Sequence, residues 1–154
     1  MGYVEKVLQP EETVTYQTTV HWFLYIPTIA WAVVGAAFAV MWTRGEAGAL
    51  RSAMGWGAVG SLALVILTFL YAWIQRITTE LAITSRRVIY KSGLLRRHTL
   101  EMNLSKVESV GVTQSVLGRI FGYGKVELKG TGETLTPLML IADPLQFRSH
   151  ITAG

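Results

Sequence analysis

The sequence predicts a membrane protein in two parts: a transmembrane helical hairpin, then a small antiparallel β-barrel closed by a C-terminal α-helix. Three observations predict this. Two long runs, His21 to Trp42 and Ser52 to Gln75, contain no Asp, Glu, Lys or Arg. After Arg76 the apolar residues recur every second position, the period of half-buried strands. The chain then closes on a segment led by Asp143 and Pro144, with apolar residues four apart.

The two uncharged runs are 22 and 24 residues long, and about 20 apolar residues cross a bilayer core as a helix. Across the chain 51% of residues are apolar and 16% charged, well under the usual charged fraction of about 25%. Trp22, Tyr25, Trp42, Tyr71 and Trp73 lie near the ends of the runs, where interfacial aromatic belts form. A cleaved signal peptide fits poorly: twenty largely polar residues precede the first run, without a basic leader. Pro27 is expected to kink the first span near its start.

The spans divide the chain into a tail (1–20), a hairpin (21–75, with spans 21–42 and 52–75) and a soluble part (76–154). The loop Thr43–Arg51 carries Arg44 and Arg51. The other side carries Lys6, Arg76, Arg86, Arg87 and Lys91. This bias places both termini on the cytoplasmic side. The soluble part has eleven Lys or Arg against six Asp or Glu, a net of +5. Such a basic excess beside a membrane is attracted to anionic lipid. Small residues recur four apart in the spans, as Ala32 with Ala36 and as Ala53, Gly57 and Ser61. These stripes permit close helix packing, within the hairpin or between copies.

About six strands are expected in the soluble part. They are Thr79–Ser85, Val88–Gly93, the alternation at Leu100, Met102 and Leu104, that at Val110 and Val112, Lys125–Lys129, and Leu135–Ala142. Pro137 must then stand at an edge or an end. Asp143 and Pro144 suit the N-cap and first turn of a terminal helix, with Phe147 and Ile151 on one face. The tail alternates from Val14 to Val20, so a strand there is expected to pair with the soluble part.

The run from Ser115 to Gly132 holds five glycines. A phosphate loop needs Lys and then Ser or Thr after its last glycine, but Val126 follows Lys125, and Arg119 stands where the first glycine belongs. G-x-G-x-x-G fails at Glu127 and again at Leu135, and the glycines lead into a strand, not a helix. Backbone geometry explains most of them. Ser115 caps a short helix, Gly122 ends it, Gly124 turns the chain into a strand, and Gly130 and Gly132 form a hairpin turn. Gly118 has no assigned role. Arg119 is either solvated or a contact to lipid or a neighbouring subunit.

The order of these pieces resembles the bacterial pleckstrin-homology-like (PH-like) family, in its membrane-anchored branch. The matching segments are Thr84–Ile89 (TSRRVI), Lys91–Leu94 (KSGL), Leu104–Val110 (LSKVESV), Gln114–Gly124 (QSVLGRIFGYG), Gly130–Gly132 (GTG) and Asp143–Arg148 (DPLQFR). The resemblance implies a PH-like barrel: two near-orthogonal antiparallel sheets, usually of seven strands, with the C-terminal helix closing one end. It also implies a binding or scaffolding module without a catalytic centre.

The functional expectation is therefore a membrane-anchored interaction or scaffold module that binds a protein partner or assembles with itself. The alternative is recognition of anionic lipid head groups by Arg76, Arg86, Arg87, Lys91, Arg96 and Arg97. No enzyme, metal, cofactor or nucleic-acid motif is found. The chain has no cysteine, and its three histidines, His21, His98 and His150, have no ligand spacing. Glu11 and Glu12 are expected to be solvated.

Overall fold

The computed structural model describes residues 3–94, 97–131, 133–134 and 138–152. The chain forms two compact units, one of residues 22–74 and one of residues 1–21 together with 75–154.

In the first unit a single 3-10 turn, Trp22–Tyr25, leads into α2 (Ile26–Arg44), and α3 runs Ala49–Thr78. Both segments are long and apolar enough to cross a membrane, each with a mean hydropathy of 2.0. The connection is shorter than the expected nine residues, because the helices continue past the uncharged runs. Arg44, Arg51 and Arg76 are all helical, and arginine is a good helix former. Pro27 stands where the 3-10 turn passes into α2. It lies in the first turn of α2, where its missing N–H would have no intrahelical partner.

The second unit begins with a helix the alternation did not predict, α1 (Tyr3–Val7). One antiparallel sheet has the order β1 (Val14–Thr18), β2 (Glu80–Thr84), β3 (Arg87–Ser92), β4 (His98–Asn103). In the other, β6 (Tyr123–Gly130) is central and pairs with β5 (Val107–Thr113), β7 (Glu133–Thr134) and β8 (Leu138–Ala142). The tail strand thus pairs with the strand that follows α3, Thr18 facing Leu81. Pro137 and Gly132 lie outside the described residues.

The sheets do not close into the expected barrel. Among the described residues they meet at one isolated bridge, Val20 to Ile141. It is flanked by the His21 N–H donating to Leu140 (2.9 Å) and the Ala142 N–H donating to Thr19 (3.3 Å). On the other side a 3-10 turn, Leu104–Lys106, separates β4 from β5. The Leu104 N–H donates to Arg86, and Lys106 accepts from Thr131. These local partners satisfy the turn's backbone, so β5 leaves the first sheet instead of extending it.

The core lies between the sheets. Period two turns Leu81, Ile83, Val88 and Tyr90 inward from the first, and Val126 and Leu128 from the second. Helix α5 (Pro144–Thr152) adds Phe147 and Ile151, both buried as their spacing predicts. It packs against β1, β5 and β6. Asp143 precedes it in left-handed backbone (φ 49°), not in the extended form usual for an N-cap. Its N–H donates to Gly122, and its carbonyl accepts from Phe147.

The glycine run folds largely as its chemistry dictates. The Ser115 hydroxyl accepts from the Gly118 N–H at 3.0 Å, capping α4 (Val116–Phe121), and Gly122 ends that helix at φ 72°. Gly118 now has a reason. A β-carbon there would lie 2.6 Å from the Tyr123 carbonyl oxygen. Gly124 is not the expected turn. It lies inside β6, where a β-carbon would meet Gln114 at 2.8 Å and Pro144 at 3.0 Å.

Candidate functional site

The strand register decides where the six basic candidates go. Glu80 faces Lys91 across β2 and β3, and Ser92 faces His98 across β3 and β4. Lys91 and Arg97 therefore belong to the end of the first sheet where β2 begins, and Arg76 stands in the last turn of α3, four residues before β2. Arg86 and Arg87 belong to the opposite end, about five residues or some 16 Å away at strand rise. Arg96 lies outside the described residues. The candidates do not form one patch.

Two of them are committed within the chain. The Arg87 guanidinium forks onto Glu12, with Nε to Oε1 at 3.0 Å and Nη2 to Oε2 at 2.9 Å. Its Nη1 donates to Glu101 at 2.6 Å, and Nη2 also donates to the Val7 carbonyl at 2.7 Å. The Lys91 ammonium lies 3.5 Å from a Glu80 oxygen and 5.1 Å from the centre of the Tyr3 ring. Arg76, Arg86 and Arg97 are exposed and form no ion pair among the described residues.

The expectation of a solvated carboxylate fails at Glu12. Its side chain is fully buried. The carboxylate accepts from Thr84 Oγ1 at 2.6 Å and from the Gln9 N–H at 2.9 Å, besides the Arg87 fork. Burial alone would push its pKa up. The hydrogen bonds from Arg87, Gln9 and Thr84 and the charge of Arg87 outweigh that, and hold it at about 2. Burial likewise pushes the Glu80 carboxyl up, but bonds from the Tyr3 and Val4 backbone and the charge of Lys91 bring it below its ordinary value.

These contacts fasten the tail to the outer face of the first sheet. Val4 packs with Ala82 and Ile89, flanked by Tyr3 and Val7. The outer face of β2 and β3 is thus covered by α1 while their inner face holds the main core. The sequence carried that signal: LAI and VIY are unbroken apolar runs, the mark of a strand covered on both faces.

In the helix pair, Gly57 and Ser61 of the small-residue stripe lie against α2. A β-carbon at Gly57 would lie 3.0 Å from the Phe38 ring, and one at Gly35 would lie 2.6 Å from Ser61 Oγ. Gly35, outside the predicted stripes, is a contact point that four-residue spacing missed. Ala32, Ala36 and Ala53 remain exposed, and the first two line an open apolar groove with Trp31, Val59 and Leu62.

No described group of three or more His, Asp or Glu side chains could hold a metal ion. His98 is exposed on β4. His150 stacks on Tyr16 at 4.7 Å, and its Nδ1 lies 2.8 Å from the Gln146 carbonyl oxygen.

Two antiparallel sheets facing each other over one core, with a terminal helix packed on them and a salt-linked outer face, define a small two-sheet β module. The bacterial PH domain family matches residues 20–154, and the chain belongs to that family. No curated protein and no solved structure matches it.

Proposed function

We propose that the chain is a membrane-anchored PH-like interaction or scaffold module, held by a two-helix transmembrane hairpin at the cytoplasmic face of a bacterial inner membrane. It binds a protein partner or assembles with copies of itself. The observation that carries this reading is the pairing of β1 with β2. Thr18, four residues before the first apolar segment, faces Leu81, three residues after α3 ends. A hairpin whose two ends are stitched into one sheet presents that sheet on one side of the bilayer. The basic bias of that side supports a cytoplasmic location.

The partner surface fits the outer edges of β4 and β5. Each pairs with one strand only among the described residues, and an open edge accepts an added strand. The test is crosslinking in native membranes from photoreactive residues placed at Thr99 and Glu101 on β4 and at Ser109 on β5, with Glu127 on β6 as the control. Adducts of defined mass from the edge positions support the reading, and a mass of twice the chain identifies self-assembly. The absence of adducts from all edge positions refutes it.

Lipid head-group recognition is the second reading. Exposed Arg97, at the same sheet end as Lys91, and exposed Arg76, in the last turn of α3, favour it. The engagement of Arg87 with Glu12 and Glu101 removes one of its charges. Salt-dependent preference of the reconstituted chain for phosphatidylglycerol, lost in Arg76→Gln with Arg97→Gln, would establish it. No preference over phosphatidylcholine would remove it.

A further inference from the structure

Helix α4 presents its apolar side outward. Val116, Leu117 and Ile120 are 76%, 51% and 69% exposed, and Phe121 is 43% exposed. Positions i, i+1, i+4 and i+5 share one helix face. What faces the core is Gly118, the buried residue of the helix. Its close approach to the Tyr123 carbonyl fixes α4 with its large side chains turned away. The segment from Thr113 to Gly122 has no acidic residue and one basic one, Arg119, which is exposed. A cluster of four large apolar side chains with a lone arginine is unfavourable in water. It has the composition of an interfacial anchor.

The covering is indicated by His21, the residue immediately before the first apolar segment. Its ring hydrogen-bonds the Phe121 backbone and lies 5.5 Å from the Tyr123 ring. The end of α4 is therefore one side chain away from the point where the chain enters that segment. Six helical residues extend only about 9 Å, so all of α4 lies close to that point.

We propose that α4 is an interfacial anchor whose Val116, Leu117, Ile120 and Phe121 insert into the head-group and acyl boundary of the bilayer, with Arg119 at the phosphate level. The inference rests on the reading of α2 and α3 as membrane helices. It adds a third attachment that fixes how the β module stands on the lipid surface, and it identifies the partner of this face as a lipid surface instead of a protein.

The chain has no cysteine, so single positions can be labelled in the full protein. The variants Ile120→Cys and Val116→Cys carry an environment-sensitive nitrobenzoxadiazole label. They are reconstituted in phosphatidylethanolamine–phosphatidylglycerol vesicles containing lipid spin-labelled near the head group. Leu67→Cys on α3 reports whether the helices are in the bilayer, and Arg86→Cys, at the far end of the first sheet, reports water. The expected result is blue-shifted emission at both α4 positions, quenched at least twofold by the spin-labelled lipid, with Arg86→Cys unaffected. If Leu67→Cys is quenched while both α4 labels behave like Arg86→Cys, insertion is overturned and the membrane reading stands. An unquenched Leu67→Cys overturns both. Blue-shifted α4 labels that resist lipid quenching, and that shift back to red as the protein is diluted in lipid, assign the patch to a second copy and also overturn the proposal.

Discussion

Replacing Glu12 with Gln tests whether one buried carboxylate holds the tail to the sheet. Gln keeps the size of the side chain but loses the charge, and its amide nitrogen cannot accept from Arg87. The variant loses one arm of the fork, and Arg87 keeps only Glu101 as a charged partner. Hydrogen bonds to charged groups contribute about 1.5–3 kcal/mol each. The depressed carboxyl reflects the same bonds and gives a figure of the same order. A fall from 4.5 to about 2 at about 1.4 kcal/mol per unit corresponds to about 3 kcal/mol. Local opening of α1 and β1 should then become easier by about 2–3 kcal/mol, some 30- to 150-fold. Hydrogen exchange of the full chain in nanodiscs measures it. Peptides covering residues 3–18 should exchange faster by that factor, while those covering 123–130 stay protected. A change below threefold in residues 3–18 would refute the role assigned to Glu12. The pH dependence has a definite sign. Because the folded carboxyl is depressed, its contribution is complete above about pH 4.5 and is lost as pH falls towards 2. The difference in unfolding midpoint between wild type and variant should shrink over that window.

Phe147→Ala removes a fully buried ring from between the sheets and should cost about 3–5 kcal/mol, read as a lowered melting temperature of the β module. Gly118→Ala places a carbon 2.6 Å from a carbonyl oxygen. It should destabilise by about 1–3 kcal/mol in the same melt, and a change under 0.5 kcal/mol would contradict the close approach. Gly122→Ala forces a side chain into left-handed backbone at about 1–2 kcal/mol, without altering the register of β6. In the helix pair, Gly57→Leu drives into the Phe38 ring. It should lower the thermal stability of helicity in detergent, whereas Ala53→Leu, at an exposed position, should not.

The legible parts of the chain were those set by local chemistry. Ser115 and Gly122 bracket α4 because one supplies a capping hydroxyl and the other accepts positive φ, and both facts can be read from residue type alone. The strands appeared for the same reason, since alternation records which side chains face a core. The charge-free runs likewise marked α2 and α3, although their ends ran past the charges because arginine tolerates a helix. What was hidden was long-range. The basic residues near 86–97 look like one cluster on paper, but antiparallel register sends them to opposite ends of a sheet. Glu12 looked solvated because nothing near it in sequence announces Arg87, 75 residues away.

The sequence by itself determined the elements other than α1, the apolar helix pair and the family pattern, because periodicity, caps and composition act over a few residues. Only the tertiary structure decided that α1 covers the outer face of the first sheet, that Arg87 forks onto a buried Glu12, and that the sheets do not close into a barrel. It also decided that the apolar face of α4 points outward beside His21. Each of these depends on which distant groups meet, and that is fixed by strand register and by packing against Gly118 and Gly124, where a single β-carbon would not fit.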